Sequence, residues 1–143
     1  MIGLKRSALI AFLLNPLFSV PAAQEPTIRD EDIHPLSFVE MTYPIGARLR
    51  HIQGVVVIKL ALRDDGTVSS GWVVAGAQGL AEESLANAKK WKFRANSLLA
   101  AVIVYNFKIE GLCNSPCPSQ FRFSPPNIAT ITIAESVVDH SAQ

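Results

Sequence analysis

The residues able to do chemistry are few and widely spaced. Cys113 and Cys117 stand in Cys113-Asn-Ser-Pro-Cys117, Asp64 and Asp65 precede Gly66, and the histidines fall at His34, His51 and His140. A cysteine pair of this kind supports a local disulfide, a redox centre or a metal site. Its spacing is one residue wider than a thioredoxin-like pair and no histidine lies beside it, so a Cys113–Cys117 disulfide is expected. Closing so short a loop stabilises by about 2 kcal/mol in the chain-entropy description. Adjacent carboxylates can do general acid/base work, but beside Gly66 they are accounted for by a tight turn, which needs positive φ angles. A calcium site needs more oxygen ligands than this pair offers. The sequence contains no His-Glu-x-x-His, no nucleophile elbow and no phosphate-cradling glycine loop. Neither a catalytic site nor a metal, a cofactor or a small-molecule substrate is expected.

The elements around these residues belong to one small domain. The chain has 143 residues, 49% of them hydrophobic and 17% charged, enough for one core. Its formal charge of +1 comes from thirteen basic and twelve acidic groups, which leaves no basic field for nucleic acid. The apolar content is too high for a disordered chain.

Residues 1–22 read as a secretory signal peptide: Lys5 and Arg6, an apolar run from Ser7 to Val20 broken by Asn15-Pro16, then Pro21-Ala22-Ala23. Cleavage after Ala22 removes two basic groups and gives a periplasmic or secreted chain. A retained inner-membrane anchor is the alternative, although a span needs about 20 predominantly apolar residues. Residues 23–42 carry Pro26 and Pro35 and read as an extended lead-in that adds little to the core. Pro44 opens a short helical turn, with Ala47 and Leu49 pointing inward. Gly54 to Arg63 alternates as a strand whose core face is Val56, Ile58, Leu60 and Leu62. Asp65-Gly66 turns it into a hairpin with Thr67–Val74, whose inward face is Val68, Trp72 and Val74. Leu80, Ala81, Ser84, Leu85, Ala88 and Trp91 form one helical stripe, with Glu82 and Glu83 in the first turn and Lys89, Lys90 and Lys92 in the last. Ala101–Ile109 alternates as a third strand. Beyond the cysteine loop, Gln120–Phe123 and Ile128–Ala134 are β-prone around Pro125-Pro126, with room for a fourth, edge strand. The fold class is therefore α+β, a three-stranded antiparallel sheet against one main helix, with residues 111–143 as a disulfide-linked extension.

The order Tyr43-Pro44, Ala47-Arg48, Gly54-Val-Val56-Val-Ile58, Asp65-Gly66-Thr-Val68, Trp72-Val-Val74, Gly79-Leu80, Ala88 and Trp91-Lys-Phe93 resembles the TonB C-terminal domain family, over roughly residues 43–110. The resemblance implies the same small α+β fold. It also implies a periplasmic module that takes a short extended peptide of an outer-membrane receptor as an added strand, without catalytic residues. By that logic the strand Ala101–Ile109 is the expected edge. Its residues Val102, Val104, Tyr105 and Asn106, with Tyr43 and Pro44 beside them, are the expected partner-binding surface.

Three functions remain open at this point. The first is a stand-alone periplasmic binding module associated with TonB-type transport. The second is a membrane-anchored short energy transducer, although the lead-in is far shorter than a periplasm-spanning linker. The third is a thiol-active periplasmic protein using Cys113 and Cys117. An edge that accepts a peptide also accepts a second copy, so homodimerisation by strand pairing is a further expectation.

Overall fold

The computed structural model describes residues 26–137, so the expected signal peptide lies outside the described residues. In chain order the elements are a 3-10 turn (Asp30–Asp32), β1 (Pro35–Ser37), α1 (Ile45–Leu49), β2 (Gly54–Leu62), β3 (Val68–Ala75), α2 (Gln78–Ala88), β4 (Lys92–Phe93), β5 (Ala100–Cys113), β6 (Gln120–Ser124) and β7 (Ile128–Ser136). Strands β1 and β4 form a small antiparallel pair. The main sheet has the order β3-β2-β5-β7-β6.

The fold is α+β, but the sheet has five strands where three and an added edge were expected. It is also mixed: β5 runs antiparallel to β2 and parallel to β7, while β6 returns antiparallel along β7. The expectation stopped at three strands because Pro125-Pro126 was read as an interruption. The prolines instead sit in the turn of the β6–β7 hairpin, where a missing backbone N–H costs no ladder bond.

Period-two alternation sends one side of every central strand to the core. Val56, Ile58 and Leu60 of β2, Ala101, Ile103, Tyr105 and Phe107 of β5, and Ala129, Ile131 and Ile133 of β7 are buried together under α2. The helix spans three turns starting at Gln78, so Glu82 and Glu83 stand in its second turn and Lys89 is its C-cap. The expected offset of the helix dipole by first-turn acids does not arise.

The β2–β3 hairpin forms as expected. Asp65 Oδ1 accepts from the Thr67 backbone N–H at 2.9 Å and from its hydroxyl at 2.6 Å. Gly66 is required there: its φ is +82° and a Cβ would stand 1.7 Å from the Phe93 carbonyl oxygen.

The lead-in contributes more than its composition implied. Ile33 is buried, β1 pairs with β4, and Phe38 stacks against Phe121 and tilts against Phe123 and Trp91. The Asn87 side chain then ties the layers together. Its amide donates to the Val39 carbonyl at 2.9 Å, while its carbonyl accepts from the Trp91 indole at 3.0 Å and the Tyr105 hydroxyl at 2.8 Å. One buried side chain thereby joins lead-in, helix and central strand, and every partner is satisfied.

Candidate partner-binding edge

The expected edge strand is not an edge. β5 lies at the centre of the sheet, with β2 on one side and the chain's own β7 on the other, from Val104↔Ile128 through Ile109↔Ile133. From Val104 to Phe107 its main-chain groups are engaged on both flanks, and nowhere along Ala101–Ile109 is the strand free on both, so it offers no sheet edge of its full length. The signal that misled was the matched region itself, which ends before β6 and β7.

The nominated side chains separate into two sets. Tyr105 is fully buried, and desolvation pushes its phenol well above the usual tyrosine value. Tyr43 is buried too, with its phenol shifted upward by the same cause. Its hydroxyl donates to the Ile52 carbonyl at 2.5 Å, its backbone N–H donates to Ser119 Oγ at 2.9 Å, and its ring meets Phe107 edge-on at 5.4 Å. Pro44 is the N-cap of α1 and is also buried. These three hold the core.

Val102, Val104 and Asn106 point the other way, to the sheet face opposite α2, and are half-buried. Register places them in rows. Val102 is level with Lys59 and, beyond it, Trp72. Val104 is level with Val57 and Ile128, and Asn106 with Val55 and Thr130. The outer face therefore carries an apolar strip that reaches β3 at Trp72, where the Lys59 ammonium sits 5.7 Å from the ring centre.

The sheet's two real edges are β3 and β6. β3 is eight residues long, Val68-Ser-Ser-Gly-Trp-Val-Val-Ala75, without a charge or a proline. Trp72 is 46% exposed and Val74 58% exposed, although both were expected to pack inward. The register shifts between Val57 and Ile58, so Val74 has no cross-strand partner and leaves the alternation. Trp72 pairs with Lys59, whose side chain belongs to the outer face. No periodicity in the sequence marks this edge; its one legible signal is an uncharged stretch beside an Asp-Gly turn.

The other candidate chemistry resolves into structure. Cys113 and Cys117 are joined in a disulfide, with the Cys117 side chain buried. Asp65 is occupied by Thr67, whose hydroxyl and backbone N–H hold its carboxyl below the usual range. His51 pairs through Nδ1 with Glu135 at 2.9 Å, in a cleft of about 290 Å³ between α1 and the end of β7. His34 lies elsewhere on the surface, and His140 lies outside the described residues. Among the described residues no cluster of three His, Cys, Asp or Glu is placed to hold a metal ion.

Two hairpins, β2–β3 and β6–β7, flanking the central strand β5 with the helices α1 and α2 define a small domain of the α+β class. Residues 39–109 match the family described as Gram-negative bacterial TonB protein C-terminal, so the chain carries a domain of the TonB C-terminal family. That is a domain of the Gram-negative envelope, associated with TonB-type transport and with protein partners and not with catalysis. No curated protein and no solved structure matches the chain. No helix among the described residues is long and apolar enough to cross a membrane.

Proposed function

We propose that the protein is an exported periplasmic binding module of TonB-type transport that captures an extended segment of a partner protein by β-augmentation at β3. The observation that carries this reading is the bare β3 edge: eight residues with neither charge nor proline, bordered by exposed Trp72, Val73 and Val74. Natural edges of that length are normally blunted by charge, proline, a bulge or a covering element; β3 has irregularities at Ser69 and Val74 but none of the other three. A strand added there gains main-chain hydrogen bonds from β3, and its alternate side chains lie beside Trp72 on the outer face, continuous with Val57, Val102 and Val104. An outer-membrane receptor segment is the partner class that the family match favours.

The test is site-specific photo-crosslinking in a Gram-negative host, with a photoreactive residue at Ser70, at Val74 or, on the opposite edge, at Arg122. Adducts to an envelope protein from Ser70 and Val74, absent from Arg122, are the expected result. Adducts from Arg122 alone, or from none of the three, would overturn the reading. Mass analysis of the same protein decides the export step. A soluble chain lacking residues 1–22 fits the proposal, and a membrane-bound chain retaining Met1 favours the short energy transducer.

A further inference from the structure

We propose that the cleft between α1 and the C-terminal ends of β5 and β7 is a second binding site. Its ligand is the C-terminal residue of a polypeptide, with an apolar side chain on an isoleucine floor and a free carboxylate at Arg48.

The cleft exists because α1 is short. The helix stops at Leu49, while β5 and β7 run on together from Ile109↔Ile133 to Leu112↔Glu135. The end left uncovered holds a hollow of about 290 Å³, at the small end of ligand cavities and of a size for one large side chain. Ile109 and Ile133 supply its apolar floor, and Leu49 stands at its lip, 74% exposed.

Charge selects a carboxylate. The ionisable side chains lining the cleft are Arg48, His51 and Glu135. His51 Nδ1 and the Glu135 carboxylate lie 2.9 Å apart, so the acid already has its donor, whereas Arg48 forms no ion pair among the described residues. A guanidinium meets a carboxylate through two parallel hydrogen bonds. Geometry then favours a terminal residue over an internal one. In an extended chain successive side chains point to opposite sides, so an apolar side chain and an acid next to it face apart. A C-terminal residue carries both groups at one Cα, and capture of a terminal carboxylate is an established mode of peptide recognition.

The backbone at His51 points the same way. The chain leaves α1 there at a φ of +53°, a left-handed position just past a helix end where glycine is usual. The side chain kept at that strained position is the one that occupies Glu135 and leaves Arg48 to a ligand. The cleft shares no residue with β3, so the proposal stands or falls independently of strand capture.

The test is an NMR titration of isotope-labelled protein purified from the envelope of a Gram-negative host. The probes are a short synthetic peptide ending in phenylalanine with a free carboxylate, the same peptide amidated, and a free-acid peptide ending in serine. The phenylalanine acid is expected to move the backbone amides of Arg48, His51 and Glu135 and to leave those of β3 in place. Amidation and Arg48→Gln each weaken binding by about tenfold, the loss expected for a charge-assisted pair. The serine peptide also binds more weakly. His51→Gly keeps the left-handed backbone but releases Glu135 to compete for Arg48, so it weakens binding, and adding Glu135→Gln restores it. Arg122→Gln, in β6, leaves binding unchanged, and an unshifted melting temperature verifies folding in each variant. Equal binding of acid and amide overturns the proposal, as does a His51→Gly loss that Glu135→Gln fails to restore, or the absence of shifts in the cleft with every peptide up to its solubility. Shifts confined to β3 overturn it while supporting strand capture, and binding seen only after deletion of residues 138–143 overturns it by assigning the cleft to the chain's own tail.

Discussion

The central strand β5 is flanked by two hairpins of similar size and opposite character. β2–β3 ends in a bare apolar edge, whereas β7–β6 ends in five residues that include Arg122, with Pro118 before them and Pro125-Pro126 after. The inner side of β6 is also held down, since Phe121 and Phe123 face Phe38 and Phe123 meets Trp91 at 5.6 Å. One hairpin edge carries charge, flanking prolines and an aromatic cover, and the other has only the irregularities at Ser69 and Val74. The two edges therefore differ in charge, proline and cover, and the one lacking all three is where strand addition is proposed.

The comparison breaks most directly at β7. If the β6–β7 hairpin is part of the core and not a flap, deleting a buried side chain from it must destabilise the whole molecule. Ile131 is fully buried. Ile131→Ala is expected to lower unfolding stability by about 3 kcal/mol, through lost burial and the cavity left behind. Denaturant unfolding followed at Trp72 and Trp91 should remain a single transition. A loss below about 1 kcal/mol would mean that the hairpin yields easily and that the flank of β5 can be uncovered.

Much of this architecture was legible in the residues themselves. The alternation of Val56, Ile58, Leu60 and Leu62 and the Asp65-Gly66 turn specify β2 and its hairpin locally, because strand period and turn chemistry act over a few residues. The stripe ending at Trp91 specifies α2 to within a turn. What was not legible is long-range: the parallel pairing of β7 on β5 joins segments more than twenty residues apart, and no local pattern encodes which strand lies beside which. The candidate site failed for that reason. Val102, Val104 and Asn106 were assigned a sheet edge from a matched region that ends before the strand that covers it, and Tyr105 was taken for a surface residue although its alternation with Ile103 and Phe107 placed it inward. Leu49 shows a smaller error of the same kind: the five-residue helix α1 buries Ala47 but leaves Leu49 exposed.

A change of middle size sharpens the role of the central strand. Tyr105→Phe keeps the ring and deletes the hydroxyl that donates to Asn87, whose carbonyl retains the Trp91 indole. A loss of about 1 kcal/mol is expected. Because burial raises the folded phenol above its ordinary value of 10.0, the neutral form is favoured on folding. Its contribution is complete below that ordinary value and is lost as pH rises beyond it towards the raised folded value. Unfolding stability measured against pH should therefore fall on the alkaline side, and Tyr105→Phe should flatten that limb while Tyr43 leaves a remnant. An unchanged limb would show that the hydroxyl is solvated and that the layer joined by Asn87 is looser than its hydrogen bonds imply.

The smallest effect lies in the turn of the open hairpin. The Asp65 carboxyl is held below its ordinary value of 3.8, first by the Thr67 hydroxyl and then by the Thr67 backbone N–H. A depressed folded value means that the ionised form is favoured on folding, so this contribution is present above the ordinary value and fades as pH falls through the folded one. Thr67→Val removes the hydroxyl and keeps the N–H, and a carboxyl NMR titration should show the Asp65 value rise towards 3.8 without reaching it. An Asp65 value left where it was by Thr67→Val would transfer the whole depression from the hydroxyl to the Thr67 backbone N–H.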